Sequence, residues 1–203
     1  MKILETRTAP NPRRVRIFLA EKGLTVPYEE VTFNKETLQS PEFTRLNPFQ
    51  RVPLLVLDDG TSISETVAIC RYFEAQHPEP PLFGRAPRDI GVIEMWNRRA
   101  ELGLMLPVAQ AFRHLHPAMA AFEVPQVPAW GEANKPKAIE TLQIIDDALG
   151  QTRFVAGDDY SIADITTLVA IDFMRPARIQ RPDTMANIAR WYGEMQQRPS
   201  TKA

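Results

Sequence analysis

Cysteine is all but missing from this chain: Cys70 is the only one in 203 residues. That excludes an intramolecular disulfide framework and a cysteine-rich zinc site, and it suits a reducing compartment. Histidine is scarce as well, with only His77, His114 and His116. No third ligand accompanies the His114–His116 pair, so no protein-bound metal is expected. Neither sign of charge dominates, since 24 Lys and Arg face 25 Asp and Glu, for a formal net charge of −1. Such a balance supplies no basic surface for nucleic acid. No apolar run approaches the ~20 residues of a membrane span. The opening Met1-Lys2-Ile3-Leu4-Glu5 lacks the apolar core of a signal peptide. The expected location is cytoplasmic, with neither nucleic acid nor membrane as a partner.

Proline, by contrast, is abundant: 18 residues against 9 glycines. The prolines cluster at 10–12, at 78–87 and at 117–136. The middle cluster reads as a linker, because proline cannot donate a backbone hydrogen bond and stiffens extended chain. Residues 1–78 are expected to form one domain, 79–87 the linker, and 88–203 an all-helical domain.

Ahead of the linker, Lys2 to Thr6 and Tyr28 to Phe33 are predicted strands. Between them a helix opens at Asn11-Pro12, with Val15, Phe18 and Leu19 at helical spacing and Gly23 as its stop. Val52 to Leu57 reads as a buried strand that turns at Asp58-Asp59-Gly60 into Thr61-Ser62-Ile63. A helix carrying Val67, Ala68, Cys70, Tyr72 and Phe73 follows. After residue 88 a long helical pattern reaches His114, with a kink expected at Pro107. Further helices are predicted from Lys137 to Leu149, from Ser161 onward, and from Met185 to Gln197. Ser161 and Asp164 have the spacing of an acidic capping box.

Side-chain chemistry is sparse. Cys70 lies among apolar neighbours and reads as a small core residue. The pairs Asp58-Asp59, Asp146-Asp147 and Asp158-Asp159 read as turn and surface residues, because adjacent positions seldom aim both carboxylates at one point. Arg13, Arg14 and Arg16 read as a solvated helix face. What remains is a backbone site. If the Val52-Pro53 peptide is cis, Val52 exposes its amide and carbonyl. Ser64-Glu65-Thr66 opens a helix, whose free amides and positive dipole end favour a carboxylate. The Thr66 hydroxyl and the Glu65 carboxylate can add contacts to an amino-acid head. Together these describe a site for an extended, peptide-like ligand.

Four stretches resemble the cytosolic glutathione transferases. They are Asn11 through Gly23, Asn47-Pro48-Phe49-Gln50-Arg51-Val52-Pro53-Leu54-Leu55, Ser64-Glu65-Thr66 with Ala68-Ile69, and Val155-Ala156-Gly157 through Ser161-Ile162-Ala163-Asp164. Their order and spacing match across essentially the whole chain, nearest to the bacterial and fungal members with a proline-rich first loop. The resemblance implies an α/β thioredoxin-like N-terminal domain, an all-α C-terminal domain and a homodimer. It also implies glutathione as co-substrate, attack of its thiolate on a hydrophobic electrophile, and a role in detoxification. Val52 and Pro53 would then meet the cysteinyl backbone, Glu65 and Thr66 the γ-glutamyl end, and Arg51 the glycine carboxylate. The Ser161–Asp164 box would be a structural cap.

Family members place Tyr, Ser or Cys beside the glutathione sulfur, whereas this chain has Thr6-Arg7-Thr8-Ala9-Pro10-Asn11-Pro12. A free thiol titrates near ~8.5, and lowering that by about two requires about 2.7 kcal/mol. A helix N-terminus supplies ~0.3–1 kcal/mol and one charge-assisted hydrogen bond ~1.5–3 kcal/mol, so one good donor plus the dipole suffices. Thr8, Asn11 and His114 are the candidate donors. Met105, Phe112, Phe122 and Trp130 are candidates for the apolar co-substrate pocket, with Phe122 and Trp130 expected in a proline-broken loop. Glutathione-dependent peroxide reduction and a non-catalytic binding protein are the alternative readings.

Overall fold

The computed structural model describes residues 1–203. Its first unit spans Met1–Pro80 with Lys202–Ala203, and its second spans Pro81–Thr201. In the first, strands Lys2–Glu5 (β1), Tyr28–Glu30 (β2), Leu54–Val56 (β3) and Ser62–Ile63 (β4) form one sheet in the order β2-β1-β3-β4. β2 runs parallel to β1, while β3 is antiparallel to both β1 and β4. The parallel pair is joined by the helix Pro10–Glu21 (α1), as a parallel connection requires. Short helices Lys35–Leu38 (α2) and Pro41–Leu46 (α3) lead into β3, and Thr66–Gln76 (α4) follows β4. The sheet is shorter than the sequence predicts. Tyr28, Glu29 and Glu30 are all exposed, and that edge is held by pairing with β1, the Lys2–Glu29 ion pair at 2.6 Å and Arg7 N–H donating to the Glu30 carboxylate at 3.2 Å.

The core of this unit combines Ile3, Leu54 and Leu55 from the sheet with Val15, Phe18 and Leu19 from α1 and Ile69 and Phe73 from α4. Four charged residues, Glu5, Arg14, Arg16 and Lys22, are buried with them. Arg16 pairs with Glu5 at 2.6 Å and donates to the Arg7 carbonyl at 2.8 Å. Lys22, beyond the end of α1, donates to the His77 carbonyl at 2.8 Å and also meets the Glu74 carboxylate and the Pro80 carbonyl. The two helices are thereby fastened at their C-terminal ends.

The second unit is helical. A continuous run comprises Pro87–Arg99 (α5), a π-helical stretch at Ala100–Met105, and Leu106–Leu115 (α6). The expected kink at Pro107 is taken up by that π-helical stretch, which precedes a residue with no N–H to give its turn. Pro128–Leu149 (α7) begins nine positions ahead of the predicted Lys137, because Pro136 lies inside the helix. Trp130 therefore belongs to the first turn of α7 and not to a loop. Ile162–Met174 (α8) and Ala186–Gln196 (α9) complete the bundle. Leu82 and Phe83, just past the unit boundary, are buried, and the Leu82 carbonyl accepts from Ile162 N–H at 3.0 Å.

α8 is buried over most of its length and carries the predicted capping box. Asp164 accepts from Val155 N–H at 2.9 Å, Ser161 N–H at 3.0 Å and Trp191 Nε1 at 2.9 Å. Burial pushes its carboxyl up to about 6, against the hydrogen bonds that favour the ionised form. Asp146 departs from its expected surface role. It is buried and accepts from Ile188 N–H at 2.7 Å and Asn187 Nδ2 at 3.2 Å, so it caps α9 from another helix. No helix is long and apolar enough to cross a membrane.

Candidate active site

Strand direction gathers the backbone elements of the first unit at one end of its sheet. The β1–β3 register, carried two residues past Leu4↔Leu54, brings Thr6 level with Val52. Because β4 runs antiparallel to β3, its C-terminal end, followed by Glu65 and Thr66, lies at the same edge as the start of β3 after Pro53. α1 begins after the end of β1 and α4 after the end of β4, so two positive helix ends lie at this edge.

Each helix opens without a side-chain cap. At α1, Pro10 and Pro12 have no N–H, and Arg13 N–H is taken by the Ala9 carbonyl at 3.4 Å. Asn11 N–H is thus the one open amide of that turn. At α4, Glu65 has φ 67° and ψ 118°, a left-handed conformation unusual outside glycine. Its carbonyl closes the first turn to Ile69 N–H at 2.9 Å. The amides of Thr66, Val67 and Ala68 are left as the open donors.

The Val52-Pro53 peptide is cis, and Val52, itself buried, has no backbone hydrogen bond within the protein. The turn before it is organised by Asn47, which sequence reasoning missed as a positioning residue. Asn47 Nδ2 donates to the Arg51 carbonyl at 2.8 Å, and its Oδ1 accepts from Phe49 N–H at 3.1 Å. The Asn-Pro pair at 47–48 was the available turn signal.

Thr8, Asn11 and Arg51 are exposed. Arg14, read from sequence as part of a solvated face, is only 1% exposed. Its Nη1 donates to Thr66 Oγ1 at 3.0 Å, tying the second turn of α1 to the first residue of α4. Arg16 likewise departs from the solvated reading, being buried against Glu5. Arg14 stands one turn before Phe18, the only sign in the sequence that it borders the core. Cys70 is fully buried, and burial pushes its thiol far above the ordinary range, so it is no nucleophile.

The remaining sequence candidates lie in the helical unit. Met105 is buried at the end of the π-helical stretch. Phe112 stacks on His116 at 4.6 Å and meets Phe173 at 5.1 Å. Phe122 sits in the turn after Pro117–Met119, half-buried. Trp130 is exposed on α7, its Nε1 donating to Gln110 Oε1 at 3.2 Å and Lys137 Nζ standing 4.7 Å from its ring. His114 Nδ1 accepts from Val127 N–H at 3.0 Å, which places the ring proton on Nε2, 3.8 Å from Glu123 Oε1. Arg113 Nε holds the same carboxylate at 2.6 Å.

Comparison with known proteins bears on the whole of this arrangement. The family model of the glutathione S-transferase N-terminal domain matches residues 8–76, and that of the C-terminal domain matches residues 130–199. Glutathione S-transferase 2 of Saccharomyces cerevisiae is 40% identical over 205 residues, covering 100% of this chain and 88% of its own. The crystal structure of Gtt2 from Saccharomyces cerevisiae superposes with a TM-score of 0.94 at 40% identity, covering 100% of this chain and 99% of that one. A glutathione S-transferase domain-containing protein from Marinobacter aquaeolei gives 0.93 at 37% identity, covering 99% and 100% respectively. With both domain models in register and full-length relatives at this identity, the mixed sheet and the helical bundle are those of one established fold, and the chain belongs to the glutathione S-transferase family.

Proposed function

We propose that this protein is a glutathione transferase that joins the glutathione sulfur to an electrophilic carbon of a hydrophobic substrate. The thiol proton leaves to solvent, the sulfur lone pair forms the new S–C bond, and a displaced leaving group departs with its bonding electrons. The observation that carries this reading is the set of open backbone groups at one end of the sheet. Val52 N–H and C=O suit an extended peptide backbone, and the α4 amides with the Thr66 hydroxyl suit the γ-glutamyl carboxylate. Glu65 would pair with the γ-glutamyl ammonium, Pro53 would set the direction of the ligand backbone, and Arg51 would meet the glycine carboxylate.

For the thiolate we assign Asn11, through its open amide at the tip of α1, and the exposed Thr8 hydroxyl. His114 is the third candidate, with its Nε2 proton only loosely engaged by Glu123. Met105, Phe112, Phe122 and Trp130 are assigned to the apolar co-substrate. The protein would act as a homodimer in the cytoplasm. Self-association is supported by Phe49, 72% exposed, and by Ile90, Leu102 and Leu106 uncovered along one helical run.

The test is conjugation of glutathione to chlorodinitrobenzene, with the pKa of the bound thiol read from thiolate absorbance. Thr8→Ala should raise that pKa and slow conjugation about tenfold or more, and Thr8→Ser should restore both. A raised pKa in His114→Ala alone would transfer the role to His114. Turnover of organic hydroperoxides without conjugation would replace the assignment by peroxide reduction. Retention on immobilised glutathione with no turnover would make this a binding protein.

A further inference from the structure

α8 ends in a turn that assembles three arginines. Ile179 N–H returns to the Met174 carbonyl at 2.9 Å and Arg178 N–H to the Arg175 carbonyl at 3.0 Å. These paired bonds make a Schellman turn, whose left-handed position is ordinarily glycine. Here it is Arg178, with φ 55°. A left-handed backbone disfavours any side chain with a β-carbon, yet this one carries a long cation. Arg175, Arg178 and Arg181 all line one open cavity of about 430 Å³, together with Ile171, Met174, Ile179 and Gln180.

Arg175 and Arg178 are exposed at this cavity and Arg181 is half-buried. No acidic residue lines the cavity, and none of the three guanidinium groups takes part in an ion pair. The helix dipole attracts cations to a C-terminus, but the carbonyls of Met174 and Arg175 are already bonded within the turn. Arg181 Nη1 is moreover buried without a hydrogen-bond partner. A buried charged donor left unmatched is costly, and a planar guanidinium suits the oxygens of a phosphoryl group.

We infer that this cavity is a second binding site, for an organic phosphate monoester. Its phosphoryl group is taken by Arg175, Arg178 and Arg181, and its apolar body lies on Ile171, Met174 and Ile179. All of these residues belong to the helical unit, and none is assigned to conjugation, so the inference stands apart from the conjugation reading.

Calorimetric titration of the full-length protein with phenyl phosphate tests it. S-hexylglutathione is present at saturation to fill the glutathione site. Arg178→Gly suits the left-handed backbone and removes one cation without endangering the fold, and Arg181→Gln removes the unpartnered donor. One equivalent of phenyl phosphate should bind per chain. Each substitution should weaken binding about tenfold, the effect of losing one charge-assisted contact, while conjugation of glutathione stays at the wild-type rate. Inorganic phosphate should bind more weakly than phenyl phosphate, and phenol should not bind. Absence of phenyl phosphate binding, or equal binding by the double variant, overturns the site. Equal affinity for inorganic phosphate overturns the assignment to an organic ester.

Discussion

Arg14 and Thr66 lie 52 positions apart in the chain, and their hydrogen bond of 3.0 Å joins the second turn of α1 to the first residue of α4. Because Thr66 Oγ1 accepts from a guanidinium, its own proton is available to an anionic ligand. Arg14→Met should therefore raise the KM for glutathione about tenfold while kcat falls less, since the contact positions the hydroxyl proposed to meet the γ-glutamyl end. Arg14→Lys should recover part of the loss. A variant that melts earlier yet keeps the wild-type KM would assign Arg14 to stability alone.

Cys70 is buried, and its thiol is pushed far above the ordinary range by that burial. Iodoacetamide should leave the folded protein unlabelled and its conjugation rate unchanged, with labelling appearing only on denaturation. Cys70→Ala should retain the glutathione KM. Rapid labelling of the native protein at neutral pH would contradict the burial argument.

Asp164 yields a prediction about pH. Its folded pKa of about 6 lies above the 3.8 of an unperturbed aspartate, so between these values the folded protein binds more protons than the unfolded one. The stabilising contribution is then complete below about pH 4 and is lost as pH rises through about 6. The melting-temperature gap between wild type and Asp164→Asn should be wider at low pH than at neutrality. The opposite trend would mean that the hydrogen bonds outweigh burial. At neutral pH, Asp164→Ala should still cost about 3 kcal/mol, because it strips the acceptor from buried N–H donors.

Gly131 permits the first turn of α7 to lie against α6. A β-carbon there would come within 2.6 Å of Leu115 Cγ and 3.1 Å of His114 Cβ. Gly131→Ala should destabilise by about 1–3 kcal/mol, the ordinary cost of overpacking. Denaturant titration measures this, and a stabilised variant would refute the close approach.

What the sequence disclosed was local chemistry. The Ser161–Asp164 cap was legible because both partners sit within one helical turn, and α4 because its opening follows directly on a hairpin. Arg14 and Asp146 were not legible. Whether a charged residue is solvated or buried depends on partners far along the chain, Thr66 for one and Ile188 for the other. Trp130 was misplaced for a different reason. Pro136 reads as a helix breaker, yet packing of α7 against α6 overrides that local preference.

The prolines at 10 and 12 leave α1 with a single open amide where an ordinary helix would offer several. Carboxylates and phosphates spread their charge over two or more oxygens and gain from several donors at once. A sulfur anion concentrates its charge on one atom and needs only one. With one open amide, the tip of α1 can serve an anion that needs a single donor, and it withholds the several donors that a carboxylate or phosphate would use.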